Sequence, residues 1–204
     1  MWCRKCFKEQ ETVDHILSQC KNRRKEMIKR HDEVGKEIYL ALGKKYKLFE
    51  HYIDEPGVIK TEKLELIWNK KTLITFENAK IKKNQPDITI IDKEKQQIIT
   101  FDVSIVKREN LEEAYMKKIQ NYEEPTRLTK DLKNLSYSET IPIIITVEGI
   151  IHKKSAESLE KIGLKIRWEK VLYKLLIFNV NMIQKSYNEN WEYRGRLREM
   201  HYHK

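Results

Sequence analysis

Cys3, Cys6, His15 and Cys20 bring three sulfurs and one imidazole together within eighteen positions, and they use every cysteine of the 204-residue chain. An odd number of cysteines cannot all pair within one chain, so a disulfide framework does not account for them. A zinc ion does, because it favours four soft or borderline ligands of this kind. Two residues separate the first pair, eight separate Cys6 from His15, and four separate His15 from Cys20. The short Cys-x-x-Cys turn lets two thiolates reach one ion. A helical turn between His15 and Cys20 would bring the last two ligands roughly to one face. Four protein ligands leave no open position, so the expected zinc is structural, not catalytic. The plainer alternative is three buried cysteines and a surface histidine.

A second constellation lies mid-chain. "DITII" (87–91) and "IITFDVSIV" (98–106) are β-branched runs flanking the polar stretch "DKEKQQ" (92–97), a hairpin pattern. Centring its turn between Glu94 and Lys95 places Asp87 and Asp102 opposite one another. Opposed side chains have Cβ atoms ~5 Å apart, and like charges there repel. Asp102 shares a strand face with Thr100 and Ser104, while Ile99, Phe101, Val103 and Ile105 take the other. Two facing carboxylates call for a cation, and hard oxygen ligands suit Mg²⁺ or Mn²⁺. Alternatively, Asp87 caps a strand and Asp102 pairs with a lysine. In the following segment Leu111, Tyr115, Ile119 and Tyr122 form one apolar helical arc, with Lys118 inside it and Lys117 outside. A lysine on a sheet-facing arc needs a partner. The two aspartates, or a phosphate between them, supply one; a lysine snorkelling from the arc's edge is the alternative.

The elements that must carry these groups are legible in outline. Met27, His31, Val34, Ile38 and Leu42 recur at helical spacing, with Gly43 as a stop, and His31 on this stripe reads by default as a core histidine. Residues 44–62 read as loop, punctuated by Pro56-Gly57. "LELIW" (64–68) and "TLITF" (72–76) read as strands, with a turn at 69–71. The helix over 110–122 is expected to end before Pro125. "IPIIITV" (141–147) reads as a strand buried on both faces with Pro142 at its start. A helix over 155–163 is expected to have Ser155 as N-cap and Gly163 as stop. "LKIRW" (164–168) is expected to be one more strand, before a long apolar helix over 169–186. This order implies an α/β (α+β) mixed sheet with packed helices. The expected segments are a finger over 1–22, a core over 23–150 and a mainly helical extension over 151–204.

Charged residues make up 35% of the chain, and Lys plus Arg exceed Asp plus Glu by 41 to 31. The net charge of +10 makes a polyanion the expected partner, nucleic acid ahead of membrane. The excess is clustered in "KNRRKEMIKR" (21–30), "GKKYK" (43–47), "KIKK" (80–83) and "RGRLR" (194–198). Arg23, Arg24, Lys25, Lys29 and Arg30 are the candidate nucleic-acid contacts. No apolar run is long enough to span a bilayer, and no signal-peptide pattern opens the chain. Reduced cysteines fit the nucleus or cytosol.

The stretch "QPDITIIDKEKQQIITFDVSIV" followed by "KKIQNY" resembles the PD-(D/E)XK restriction-like endonuclease fold. More narrowly, it is similar to the C-terminal endonuclease region of site-specific non-LTR retrotransposons. That region also opens with a Cys-Cys-His-Cys finger followed by an Arg-His pair, here Arg30-His31. In the wider fold a lysine stands two residues after the second acid, where this chain has Ser104. The retrotransposon branch takes its lysine from the next helix in a Lys-x-x-x-Tyr arrangement, which Lys118 and Tyr122 reproduce. The resemblance covers about residues 2–125. It implies a nuclear, Mg²⁺-dependent DNA nickase exposing a 3′-hydroxyl for primed reverse transcription. It further implies Asp87 and Asp102 as ligands of one or two Mg²⁺ or Mn²⁺ ions, and Lys118 stabilising developing charge or orienting water. Glu33 or Glu37 would add an outer-shell carboxylate. The implied partners are double-stranded DNA, element RNA and a reverse transcriptase that normally precedes the finger. Because Met1 lies just before Cys3, the expectation is a fragment of a longer element or a derived stand-alone gene. A catalytically inactive zinc-finger remnant that only grips nucleic acid, or a junction resolvase of the same fold, are the alternative readings.

Overall fold

The computed structural model describes residues 1–49, 55–71 and 85–202, with side chains to residue 188. The expected strand at 72–76 and the basic stretch 80–83 lie outside the described residues, as do the side chains of 194–198. Five strands form one mixed sheet in chain order: β1 (Val58–Lys60), β2 (Leu64–Trp68), β3 (Ile88–Asp92), β4 (Gln97–Val106) and β5 (Tyr137–Thr146). The first four pair antiparallel, and β5 runs parallel to β4. A parallel pair needs a crossover. Here it is α2 (Leu111–Leu132), which covers one face of the sheet. The β3–β4 register, Ile88 with Phe101 through Asp92 with Gln97, runs on to set Asp87 opposite Asp102. This is the register that a symmetric turn predicts.

Alternation along the strands then sorts the two faces. Ile88, Ile90, Ile99, Phe101 and Val103 join the main core with Val34, Ile38 and Leu42 of α1 (Arg24–Lys45). Leu159 of α3 (Lys153–Lys161) and Val171 and Leu175 of α4 (Trp168–Tyr202) complete it. The C-terminal helices therefore share the core instead of extending from it. On the opposite face Ile91 and Ile98 pack on Tyr122 of α2. Thr100 exchanges hydroxyl hydrogen bonds with Thr126 at 3.0 Å and Thr140 at 3.1 Å, which pins α2 across β4 and β5.

Several local expectations are corrected. Gly43 does not stop α1; it lies inside the helix, where the Phe49 ring leaves no room for a Cβ. Helix α2 runs on through Pro125, because Tyr122, Pro125, Thr126 and Thr129 form a buried stripe whose packing outweighs one lost N–H. Pro142 sits in mid-strand, which is tolerated because β5 is the sheet's edge. Ser155 is not the N-cap of α3; His152 holds that position, and Ser155 Oγ instead accepts the Ile144 N–H at 3.2 Å. Gly163 does close the helix with φ +64°, and Leu164 N–H reaches Leu159 O at 2.9 Å. Residues 164–167 form no strand and lead directly into α4. Among the described residues no helix is long and apolar enough to cross a membrane.

The N-terminal knuckle is not an independent module either. Ile16 and Leu17 pack with Val147 and Met182, and Arg30 donates from Nη2 to Leu17 O at 2.8 Å and from Nη1 to Asn179 Oδ1 at 2.6 Å. Removing a metal from it should therefore, if one is bound, do more than unfold residues 1–22, the outcome expected for an isolated finger. Hydrogen exchange should show lost protection there, partial loss in the first turns of α1 and around residue 147, and retained protection in β3 and β4. Complete protection of α1 after chelation would contradict this coupling.

Candidate metal centre and active site

The four knuckle ligands converge. One ligand atom from each of Cys3, Cys6, His15 and Cys20 lies within 4.8 Å of all the others. Trp2 and Gln10 close the first turn by a β-bridge, and Phe7 holds φ +56° within it. The second half is a π-helical turn, His15–Gln19, and the i to i+5 bond from Cys20 N–H to His15 O at 2.8 Å explains the five-residue ligand spacing. Tetrahedral zinc with Zn–S bonds of 2.3 Å requires sulfurs about 3.8 Å apart. Cys3 Sγ and Cys20 Sγ are separated by 3.8 Å, and Cys6 Sγ lies 3.3 Å from His15 Nε2. The outer nitrogen, His15 Nδ1, faces the Glu9 carboxylate at 3.5 Å, as metal-binding histidines commonly do. Burial and the neighbouring Cys3 push the Cys20 thiol up to about 12. A cation held by the cluster would let the buried Cys20 thiol ionise. The residues fit zinc.

The second site stands where α1, the β3–β4 pair and α2 meet. Asp87 Oδ2 accepts the Val103 N–H at 2.7 Å and faces His31 Nε2 at 3.0 Å. The other imidazole nitrogen, Nδ1, faces Asp32 Oδ1 at 3.0 Å. Both ring nitrogens thus meet acceptors, which suits an imidazolium. Burial opposes that charge, but the hydrogen bonds and charges of Asp87 and Asp32 outweigh it and push His31 up to about 9. Asp102 is buried, and its Oδ2 pairs with Lys118 Nζ. Burial first, and the Asp87 charge second, push the Asp102 carboxyl up to about 6 against the pull of Lys118 and His31. Three carboxylates face two cations, so the site is short of positive charge. A divalent cation on two hard carboxylates would supply it.

Lys118 lies on the sheet-facing side of α2 and Lys117 is exposed, as helical phase predicts. Tyr122, buried one turn further on, donates to Gln85 O at 3.1 Å and so fixes the segment that leads into Asp87. Two open clefts flank the pair. One of about 330 Å³ is lined by Lys117, Lys118 and Asn121 of α2, and one of about 300 Å³ by Arg24, Ile28 and His31 of α1. Ser104 lines both, and Lys118, which meets Asp102, is reached from the first and His31, which meets Asp87, from the second.

Other expected site residues lie elsewhere. Glu33 and Glu37 face α4, where both pair with Lys174 at 2.8 Å and 2.9 Å. They stand about 200° and 240° around α1 from His31, away from the aspartates. Arg23 and Arg30 are buried and belong to the fold, not to a phosphate-facing surface. They share an inward stripe with Met27 and Val34, a phase that counting charges overlooks. Arg24, Lys25 and Lys29 remain exposed. Asp32 was not singled out from the sequence. His31 reads there both as a core residue on its stripe and as half of the Arg-His pair that carries the resemblance, a candidate accessory site residue, and only the packing of α1 against the β3–β4 end brings it to Asp87. Neither the protein-family models nor the curated proteins with which the chain was compared include a match to it.

Proposed function

We propose that this chain is a metal-dependent DNA endonuclease of the restriction-like type, a nickase anchored by a structural zinc knuckle. The observation that carries the reading is the cross-strand pair of half-buried Asp87 and buried Asp102, met by His31 and Lys118, each of which lines a cleft. Asp87 and Asp102 would hold Mg²⁺ or Mn²⁺. Once bound there, such an ion supplies Lewis-acid polarisation of a phosphate and a water acidic enough to react near neutral pH. Lys118 lies beside Asp102 on the accessible side and serves to stabilise charge developing on the phosphate. His31 is a positioning residue that holds the Asp87 carboxylate in place together with the Val103 N–H. Tyr122 is a positioning residue acting through Gln85. Water adds to phosphorus, the bond to the 3′-oxygen breaks, and the products are a 3′-hydroxyl and a 5′-phosphate.

Double-stranded DNA is the proposed substrate, with Arg24, Lys25 and Lys29 contacting phosphates beside the α1-side cleft. Such contacts position the duplex without reading its sequence. Neutralising all three residues should lower the slope of log K against log[salt] by up to about three, because each phosphate contact contributes about 0.9. Neutralising Arg23 should instead destabilise the fold. The substrate class is tested with labelled linear duplex and four-way junction at equal concentration. Nicked duplex whose ends a polymerase can extend supports the proposal, and cleavage restricted to the junction would replace it with a resolvase.

A further inference from the structure

The knuckle carries two large aromatic side chains that the fold does not use. Trp2 is 64% exposed and Phe7 66%. Phe7 also holds φ +56°, the left-handed region in which a bulky residue is strained and glycine is not. Neither packing nor backbone preference accounts for an aromatic ring there, and an unfavourable backbone of this kind points to a task outside the fold. The two residues stand close together. Cys3 N–H donates to Glu9 O at 2.6 Å and Glu11 N–H to Met1 O at 2.9 Å, which holds the Trp2 backbone in its bridge to Gln10. Phe7 N–H donates to Cys3 O at 2.7 Å, so the Cα atoms of Trp2 and Phe7 lie within about 10 Å of one another.

The charge around them is one-sided. The three acids of residues 1–22 are each matched: Glu9 faces His15 Nδ1 at 3.5 Å, Glu11 accepts from Arg4 Nε at 3.0 Å, and Asp14 pairs with Lys107 at 3.7 Å. Lys8, Lys21, Arg24 and Lys25 are exposed, and among the described residues none of them has a carboxylate partner. Asn22 Nδ2 donates to Lys5 O at 2.7 Å, which fastens the segment carrying Lys21, Arg24 and Lys25 beside the Cys3–Cys6 turn. Exposed rings among unmatched cations are the combination that grips a single strand, since phosphates meet the cations and unpaired bases stack on the rings. A duplex keeps its bases stacked on one another and offers the rings no free face. We infer that the Trp2–Phe7 face of the knuckle binds unpaired DNA, with one base stacked on each ring. Arg24 also lines the α1-side cleft that reaches His31, so a strand leaving that cleft meets this face. The choice of DNA rests on the nuclease reading, whereas strand binding itself needs neither Asp87 nor Asp102.

The test is fluorescence anisotropy of labelled strands of about ten nucleotides, a usual site size for single-strand binders, with the zinc-loaded full chain. Oligo-dT should bind more tightly than an abasic strand of the same length, which keeps the phosphates and lacks the bases. The expected factor is roughly 5- to 150-fold for each ring engaged. Phe7→Gly should remove one such factor and leave abasic-strand and duplex affinity unchanged. It should also keep its metal and its melting temperature, because glycine adopts this backbone without strain. Trp2→Ala should lower oligo-dT affinity in the same way, since the bridge to Gln10 is made by backbone, and Trp2→Phe should restore most of the loss. The comparison needs no cleavage, so it succeeds or fails independently of plasmid nicking. Equal affinity of the parent for oligo-dT and the abasic strand, or oligo-dT affinity unchanged in both Phe7→Gly and Trp2→Ala, would overturn the inference. So would duplex affinity falling in parallel, or a clear preference for oligo-rU, which would make the occupant RNA.

Discussion

Asp102→Asn is expected to lower Mg²⁺-dependent nicking by roughly 10³-fold or more, the scale of several kcal/mol of transition-state charge stabilisation. Metal-free DNA binding should stay equal or tighten. An amide of the same shape removes one hard ligand and the like-charge contact with Asp87. Stability should move the other way from activity. Burial and Asp87 push the Asp102 carboxyl from 3.8 up to about 6, so its ionisation is less favourable in the folded chain than in the unfolded one. The parent should therefore lose stability as pH rises from about 4 to about 6, and the amide variant should lack that loss. In magnesium-free buffer the two melting temperatures should coincide near pH 4, with the variant higher at pH 7. A variant that nicks at the parental rate would remove Asp102 from the site. One that melts well below the parent at pH 7 would mean the Lys118 pair outweighs the burial cost.

The second large effect separates two adjacent lysines that composition cannot distinguish. Lys118 meets Asp102, whereas Lys117 points to solvent. Lys118→Ala should cost on the order of 10²–10³ in single-turnover cleavage, the usual scale for a preorganised donor. Lys117→Ala should cost little beyond one general charge. Lys118→Arg should rescue poorly, because a planar guanidinium does not reproduce a compact point charge in a packed setting. Equal losses for the two alanine variants would remove the special role of Lys118.

The hairpin and the lysine phase were legible because both follow from fixed periods, two along a strand and about 3.6 around a helix. Once the turn was centred, the facing of Asp87 and Asp102 was arithmetic. The Cys3, Cys6, His15 and Cys20 cluster was legible from residue type and spacing alone. Phase also exposes the errors. Glu33 or Glu37 was the expected outer-shell carboxylate on the first helix, though the helix turns both toward Lys174. Arg23 and Arg30 were counted as surface charge, though their seven-residue spacing places them on one inward face. Pro125 and Pro142 misled because a local breaker signal says nothing of the packing that can override it. The sharing of one core by knuckle, α1 and α4 was beyond reach, since Leu17, Arg30 and Asn179 meet across up to 162 positions of chain.

The central claim is that the Asp87–Asp102 pair forms a metal-dependent nuclease site. Its most direct test is incubation of supercoiled plasmid with the purified, zinc-loaded full chain, with Mg²⁺ or with no divalent ion beyond the knuckle zinc. Conversion to open circles with Mg²⁺ only, abolished by Asp102→Asn, is the predicted result; plasmid bound but left intact with Mg²⁺ and with Mn²⁺ would contradict it.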